Sequence, residues 1–544
     1  MGVRNARQIY GKYCGGMSVQ QANLLMAIRN TDKVEYLKHK IYDFDYDLIM
    51  QSIDEERSIR NILNERGAQQ EDYFGELRDY QTVGTAFMYF SPRSMIADGV
   101  GLGKTAEISA LLNLLREKRE MTRFIIAVET SALGQTQAEI MKFTGMRVIA
   151  LPSEAVKMKR VIKNTDWRKV DGIVIKHSAL RSDALSLWFS TMIDKDGLNR
   201  WFDTFILDES SVIKNTATKM YDYTKNMCNM CKRVHFMNAT VFETSLYDVY
   251  NQIDMMDSKL LPTKSYIQRE YCTIPRKTYW IRDKATSKAV RKTAFDKKGI
   301  TYHHQSEFKE SMELVYFGRA KEEVGMDLPH IYRTYTIEPT PMQLNLINKG
   351  YSYNMVLNSP NLLGEATKEV PFDRQHVPKL DRLVSIVENE FADSSVMIYC
   401  WYVGAQEVIA NELRNIGRKV CILNGEDTGA DKDAKRHEIQ RDFNNKTYDV
   451  IITNIKRSIN LNAADVCIFY TIENNPAKME QIGGRIDRKV DDSIKTFIMM
   501  VYKDTSEYDN LKQVAVKRDR DSRDLTIDAK TTISRFVQGE EIEI

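Results

Sequence analysis

Residues 96–105 read Ile-Ala-Asp-Gly-Val-Gly-Leu-Gly-Lys-Thr, with glycines at 99, 101 and 103 ahead of a lysine and a hydroxyl. A turn this rich in glycine lets backbone N–H groups wrap a triphosphate, and a helix starting at its end adds a positive dipole end. Lys104 can neutralise the outer phosphates, and the Thr105 hydroxyl can ligate Mg2+. The strict form of such a loop has glycine where Asp98 stands, so the loop needs partners before it decides anything. Ile206-Leu-Asp-Glu209 is one: an apolar run ending in two carboxylates. Asp208 at a strand tip can hold the magnesium shell, and Glu209 can polarise an attacking water. Gln481-Ile-Gly-Gly-Arg-Ile-Asp-Arg488 is the other. Arg485 and Arg488 are three apart and share a face if the segment is helical. Presented across a cleft, two guanidinium groups stabilise charge on a transferred phosphoryl group. Met alone, each of these last two groups is ordinary solvated surface. Together with the loop they point to nucleoside triphosphate hydrolysis.

Such groups need rigid strands to hold them, and the chain offers two series. The first unit, expected over 76–257, contains the apolar runs 123–128, 147–151, 172–175, 204–208 and 234–237, separated by helical segments. The second, expected over 379–504, contains 396–400, 419–423, 448–452, 465–469 and 497–502. Continuous apolar strands alternating with helices indicate parallel sheets covered on both faces, so two similar α/β units in tandem are expected. Residues 1–75 read as a small helical accessory region without a chemical motif, and 505–544 as a tail or brace. The stretch 258–378 between the units reads as an irregular, partly helical insertion. Its run 277–298 sets many basic residues beside Tyr279 and Trp280. That mixture suits a nucleic-acid backbone and a solvated surface equally well.

With 544 residues, 43% of them apolar and 28% charged, the chain has the composition of a multidomain globular protein. The formal charge of +3, from 78 basic and 75 acidic side chains, excludes a uniformly basic coat for nucleic acid but permits a local basic groove. No run of eighteen apolar residues spans a membrane, and the first residues lack the apolar core of a secretory signal. The seven scattered cysteines suit a reducing compartment, and a cytoplasmic location is expected, in a bacterium or a virus's host. Cys228 and Cys231 form the one close pair. Without a second pair, packing near a buried strand explains them better than zinc.

Taken in order, these segments resemble superfamily 2 helicases and, within them, the SWI/SNF-type remodeller and translocase ATPases. The resemblance runs from about Leu77 to Tyr502. Leu77-Arg-Asp-Tyr-Gln81 resembles the adenine-reading element, with Gln81 on the base. Asp98-Gly99-Val100-Gly101-Leu102-Gly103-Lys104-Thr105 resembles a loop in which the family also carries an acidic residue at its first position. Asp208-Glu-Ser-Ser-Val-Ile-Lys-Asn215 resembles the family's DEAH-x-IKN element, and Asn238-Ala-Thr240 its coupling motif. Arg319-Ala-Lys321, Leu328-Pro329 and Gln343 resemble the entry into the second lobe. Ser458 to Asp465 resembles GINL-x-AAD, Asn475-Pro476 follows it, and Gln481-x-x-Gly484-Arg485 matches the arginine motif. The chain departs at Ser210-Ser211, where Ala or Gly and then His or Gln is usual, at Ser458 in place of Gly, and after Arg488, where Gly-Gln is absent. The residue missing at 211 normally links hydrolysis to lobe movement, so coupling should run through another contact here.

What the resemblance implies is two tandem RecA-like lobes that bind ATP and Mg2+ between them. The first supplies Gln81, Gly101, Gly103, Lys104 and Thr105, and the second reaches in with Arg485 and Arg488 when the cleft closes. Hydroxyls after strands, at Thr130, Ser131 and Ser178, and Gly425, Thr453 and Asn454 in the second lobe, would grip a phosphate backbone without reading bases. Singly, each is better explained as a helix cap. The expected activity is ATP-driven translocation on double-stranded DNA. A strand-separating or annealing helicase acting on DNA or RNA, and a motor that recycles RNA polymerase, are the alternatives. A protein partner would dock on residues 1–75 or on the tail.

Overall fold

The computed structural model describes residues 77–117, 119–121, 123–238, 246–256, 272–273, 276–282, 289–295, 301–302, 315–319, 321–326, 330–358, 377–424, 430–455, 459–473, 476–486, 494–503 and 540–543. The accessory region expected at 1–75, nearly all of the tail, Ala239-Thr240, Leu328-Pro329, Gly425, Ser458, Asn475 and Arg488 lie outside the described residues. The chain divides into two units, with the boundary between Ala320 and Lys321.

The strands of the first unit are β1 (Arg93–Ile96), β2 (Phe124–Val128), β3 (Val148–Leu151), β4 (Gly172–Lys176), β5 (Thr204–Leu207), β6 (Arg233–Met237), β7 (Cys272–Thr273), β8 (Arg276–Arg282), β9 (Ala289–Phe295), β10 (Thr301–Tyr302) and β11 (Tyr316–Phe317). Seven of them form one sheet in the order β11-β1-β6-β5-β2-β4-β3. Every pairing in it is parallel. The helices are α1 (Asp79–Phe90), α2 (Lys104–Glu117), α3 (Leu133–Thr144), α4 (Ala155–Asn164), α5 (Asp183–Ser190), α6 (Lys219–Met230) and α7 (Leu246–Met256). All five residues of β2 and all four of β5 are buried, which is why these strands read as unbroken apolar runs rather than alternating ones. Each such Phe, Ile, Leu or Val contributes roughly 1.5–3 kcal/mol relative to exposure. Because all strands run the same way, the loops leaving their C-terminal ends gather on one rim.

Strand β1 escapes the apolar pattern because its second residue is polar: Ser94 is buried and its hydroxyl meets His235 Nδ1 on β6 at 2.9 Å. Burial, with Arg233 and Arg93 nearby, drives the imidazole down to about 3, so His235 stays neutral in the core. Cys228 and Cys231 are buried as well, and among the described residues no group of three or more His, Cys, Asp or Glu gathers to hold a metal. Burial pushes the Cys228 thiol up to about 12. Arg93 holds the carbonyls of both cysteines, at 3.1 and 2.6 Å.

In the second unit the strands are β12 (His330–Ile337), β13 (Val396–Tyr399), β14 (Val420–Leu423), β15 (Val450–Thr453), β16 (Val466–Phe469), β17 (Lys495–Tyr502) and β18 (Glu540–Glu543). They pair in the order β14-β15-β13-β16-β17-β12-β18, again all parallel. The helices are α8 (Pro341–Asn348), α9 (Tyr353–Asn358), α10 (Pro378–Ser385), α11 (Val403–Asn415), α12 (Ala430–Asn444) and α13 (Pro476–Gly483).

Within the stretch 258–378, expected to be irregular and partly helical, the described residues include helices α8 and α9 and also strands. Its strand β11 belongs to the first sheet and β12 to the second, and β8 and β9 form an antiparallel hairpin. In that hairpin Tyr279 is opposite Lys292 and Trp280 opposite Arg291. Of the basic residues in 277–298, Lys277, Arg282, Arg291 and Lys292 thus stand on these two strands. No helix among the described residues is long and apolar enough to cross a membrane.

Candidate active site

The glycine loop leaves β1 and runs straight into α2, which begins at Lys104. Gly101 (φ 88°) and Gly103 (φ 83°) adopt the left-handed conformation that other residues resist. Gly103 also lacks room for a side chain, because a Cβ there would lie 2.4 Å from Gln81 Nε2. Leu102 is buried and anchors the loop, whereas Gly101 and Gly103 are exposed and Val100 and Thr105 half-buried. Lys104 Nζ donates to the carbonyls of Asp98 (2.8 Å) and Gly99 (3.3 Å), which holds the ammonium over the loop. At the start of α2 the amides of Ala106 and Glu107 donate back to the Gly103 carbonyl (2.8 and 3.4 Å), which joins loop to helix and sets the helix's positive end beside Lys104.

Gln81 lies against this loop rather than open to solvent. Its Oε1 accepts the Arg78 amide at 3.0 Å and its Nε2 donates to the Leu102 carbonyl at 3.0 Å. The Tyr80 hydroxyl donates to that same carbonyl. Asp98 is fully buried, its carboxylate gripped by Arg319.

Asp208 follows β5 on the same rim, with β6 between it and β1, a separation of roughly two strand spacings or ~10 Å. Its amide continues the sheet by donating to the Ala127 carbonyl, and its Oδ1 accepts the Glu209 amide at 3.0 Å. Glu209 sits at φ 50°, ψ 55°, a left-handed position that a non-glycine residue occupies at a cost of about 1–3 kcal/mol. Ordered neighbours hold it there. His177, at the end of β4, approaches the Asp208 carbonyl with Nε2 at 2.8 Å, so that nitrogen carries the proton. Ser210, buried, donates to Gln252 Oε1 on α7 at 2.5 Å, and Asn251 Nδ2 donates to the Lys214 carbonyl at 3.0 Å. The segment after the two carboxylates is thereby tied to the helix that follows Asn238.

Thr130 is exposed within a short 3-10 turn (Thr130–Ala132) that also contains Ser131, and Ser178 is half-buried in another (His177–Arg181). The helices beyond them are capped at Ala132 and Ser182, so neither Thr130 nor Ser178 occupies a capping position. In the second unit Thr453 is fully buried and its Oγ1 accepts the Ile455 amide at 3.0 Å, which gives it to the turn rather than to the surface. Asn454 beside it is half-buried.

Arg485 does not share a helical face as its spacing suggested. Helix α13 ends at Gly483, and Arg485 lies in the turn beyond, only 7% exposed. Its Nε donates to the Gln481 carbonyl (2.9 Å) and its Nη1 to the Ile459 carbonyl (3.2 Å), while its own carbonyl accepts the Leu461 amide. Gln481 is buried too. The arginine is thus knotted into its own unit, against the 459–461 segment.

Two family models match the chain in succession, the SNF2-related domain over residues 80–293 and the helicase conserved C-terminal domain over 378–490. The chain is a SWI/SNF-like helicase-type ATPase. This SNF2-type ATPase is 23% identical to YwqA of Bacillus subtilis (strain 168), named as a candidate ATP-dependent helicase/translocase, over 76% of this chain and 45% of that one. It is 22% identical to YqhH of the same organism, an uncharacterised ATP-dependent helicase, over 73% of this chain and 70% of that one. The chain therefore spans under half the length of the first relative. Among solved structures, the Sulfolobus solfataricus SWI2/SNF2 ATPase core in complex with dsDNA is 19% identical, covering 83% of this chain and 94% of that one, with a TM-score of 0.39.

Residue-type patterns gave no role to three residues that the geometry sets beside the candidate site in the SNF2-type ATPase's first unit. His177 stood in Lys176-His-Ser178 directly after a strand, which was signal enough. Arg319 carried a family resemblance but no position, and Glu107 on α2 gave no signal at all, since only the fold brings it to Arg319.

Proposed function

We propose that this chain is an ATP-dependent translocase that tracks on double-stranded DNA without reading sequence. The observation that carries the reading is the single rim of one parallel sheet on which the Lys104 loop, Asp208-Glu209 and the exposed Thr130 all stand. The donor set suits ATP with Mg2+: an ammonium and helix-start amides for the phosphates, a hydroxyl and a carboxylate for the cation. Lys104 with the amides at 101–105 would hold the phosphates, Thr105 and Asp208 the magnesium, and Gln81 the base edge. Magnesium, when bound, neutralises charge between the outer phosphates. Glu209 would orient and polarise the water. Arg485 and Arg488 would complete the charge stabilisation when the second unit closes on the first, and reopening would follow phosphate loss.

The relative YwqA bears a name that joins helicase and translocase, which supports a motor without choosing its track. Backbone contacts by Thr130 and Ser178 would read no bases, so tracking would be independent of sequence. The test measures ATP turnover with duplex DNA, single-stranded DNA and RNA in parallel, followed by triplex displacement. Duplex stimulation with triplex displacement is expected. Stimulation by RNA alone would transfer the chain to the RNA helicase reading.

The His177 contact yields a second expectation. Its imidazole holds the Asp208 backbone and belongs to the strand end that carries Ser178, so it joins a track contact to the proposed magnesium ligand. His177→Ala should lower nucleic-acid-stimulated turnover by about 10–100-fold, the usual range for a group that orients a metal ligand. Steady-state rates across a magnesium titration check this. A variant whose rate and magnesium dependence both match the parent would remove His177 from the site.

A further inference from the structure

Arg319 lies two residues beyond β11, immediately before the chain passes into the second unit. Its side chain is 11% exposed and sits between two fully buried carboxylates, Asp98 at the head of the loop and Glu107 on α2. The Arg319 Nε and backbone amide each donate to Asp98 Oδ1 at 3.1 Å. Its Nη2 reaches Asp98 Oδ2 at 2.5 Å and Glu107 Oε1 at 2.7 Å, and its Nη1 donates to the Tyr80 carbonyl. In return the Arg319 carbonyl accepts the Gly99 amide at 2.9 Å. The guanidinium also lies over the rings of Phe317 (4.5 Å) and Tyr80 (5.3 Å).

Two glycines make this arrangement possible. A Cβ at Gly84, inside α1, would fall 2.4 Å from Glu107 Oε1 and 2.7 Å from Arg319 Nη2. A Cβ at Gly318 would fall 2.8 Å from Ala97 Cβ and 2.9 Å from the Ala97 carbonyl oxygen. One guanidinium thus touches the Tyr80-Gln81 element, the head of the loop and the helix that starts with Lys104. Burial, reinforced by the Asp98 charge, pushes the Glu107 carboxyl well above the usual range, and its Oε2 is buried without a partner.

We propose that Arg319 is a positioning residue for the nucleotide site, fixing the loop, α1 and α2 in one register and tying the loop to the segment that leads into the second unit. The inference rests on reading this loop as the ATP site. It is tested by the affinity of a fluorescent ATP analogue with magnesium in the absence of nucleic acid, so that the identity of the track does not enter. Arg319→Lys keeps the charge but loses the two-pronged grip, and Gly84→Ala pushes into the pair from a helix position outside the loop. Both should weaken nucleotide affinity by about tenfold or more, as expected when a site is displaced rather than deleted. Thermal melts run alongside identify the folded fraction. Parent-like affinity in the folded fraction of both variants would overturn the proposal, even if the melts fall. If the parent protein itself fails to bind the analogue, the site reading falls and this inference with it, an outcome distinct from parent binding with unaffected variants.

Discussion

Lys104→Ala is expected to lower ATP turnover by ~10²- to 10³-fold while leaving the melting temperature close to that of the parent. The fold loses little because the ammonium is half-buried and satisfies only the carbonyls of Asp98 and Gly99, in a loop whose glycines at 101 and 103 face water. Water replaces it there. Nothing replaces it opposite the phosphates. Two unit charges 4 Å apart interact by about 4 kcal/mol at the effective dielectric of a protein surface. Since ~1.4 kcal/mol corresponds to a factor of ten in rate, that single contact accounts for nearly three orders of magnitude. Initial rates at saturating nucleic acid, with a melt of the same preparation, measure both halves of the statement. An intact fold that turns over within tenfold of the parent would place the phosphates elsewhere.

The strands that carry this site were legible wherever burial on both faces forced a continuous apolar run, as in Phe124–Val128 and Val450–Thr453. Polar residues hid others, although β6, whose His235 is the partner of Ser94, still reads as a strand through Val234, Phe236 and Met237. Ser94 interrupts β1 to bond His235, and the polar-rich Tyr-Arg-Thr-Tyr-Thr of β12 lies inside a charge-rich stretch. Site residues divided along the same line. Lys104, Asp208 and Glu209 are candidates on residue type alone, because phosphate and water chemistry calls for such groups beside a glycine turn or a strand tip. Arg319 and Glu107 are 212 positions apart and meet only because β11 closes the edge of the sheet beside β1. No local pattern encodes that meeting. The departure at Ser210-Ser211 was legible in the sequence, but the contact of Ser210 with Gln252 became visible only once α7 was placed beside the carboxylates.

The arginine motif shows how a residue chosen for chemistry can also carry structure, and this makes Arg485→Ala the second large effect. On the proposed function, loss of an arginine that stabilises the transferred phosphoryl group should cost about 10³-fold or more in turnover. The geometry adds a separate cost. Arg485 is buried and donates to the carbonyls of Gln481 and Ile459, so alanine strands two buried acceptors and should destabilise the second unit by roughly 1–3 kcal/mol. The two effects separate by readout. Nucleotide affinity should change little, because the loop, Lys104 and Thr105 belong to the first unit, while the maximal rate collapses and the melt shifts downward. For Arg485 to serve the phosphates it must leave or share its carbonyl partners, so closure would loosen the 459–461 segment at the moment charge develops. Amide hydrogen exchange at Leu461, whose N–H is held by the Arg485 carbonyl, should therefore quicken with a bound transition-state mimic. A folded Arg485→Ala protein that loses affinity in proportion to rate, or keeps a rate within threefold of the parent, would restrict this arginine to the architecture of its own unit.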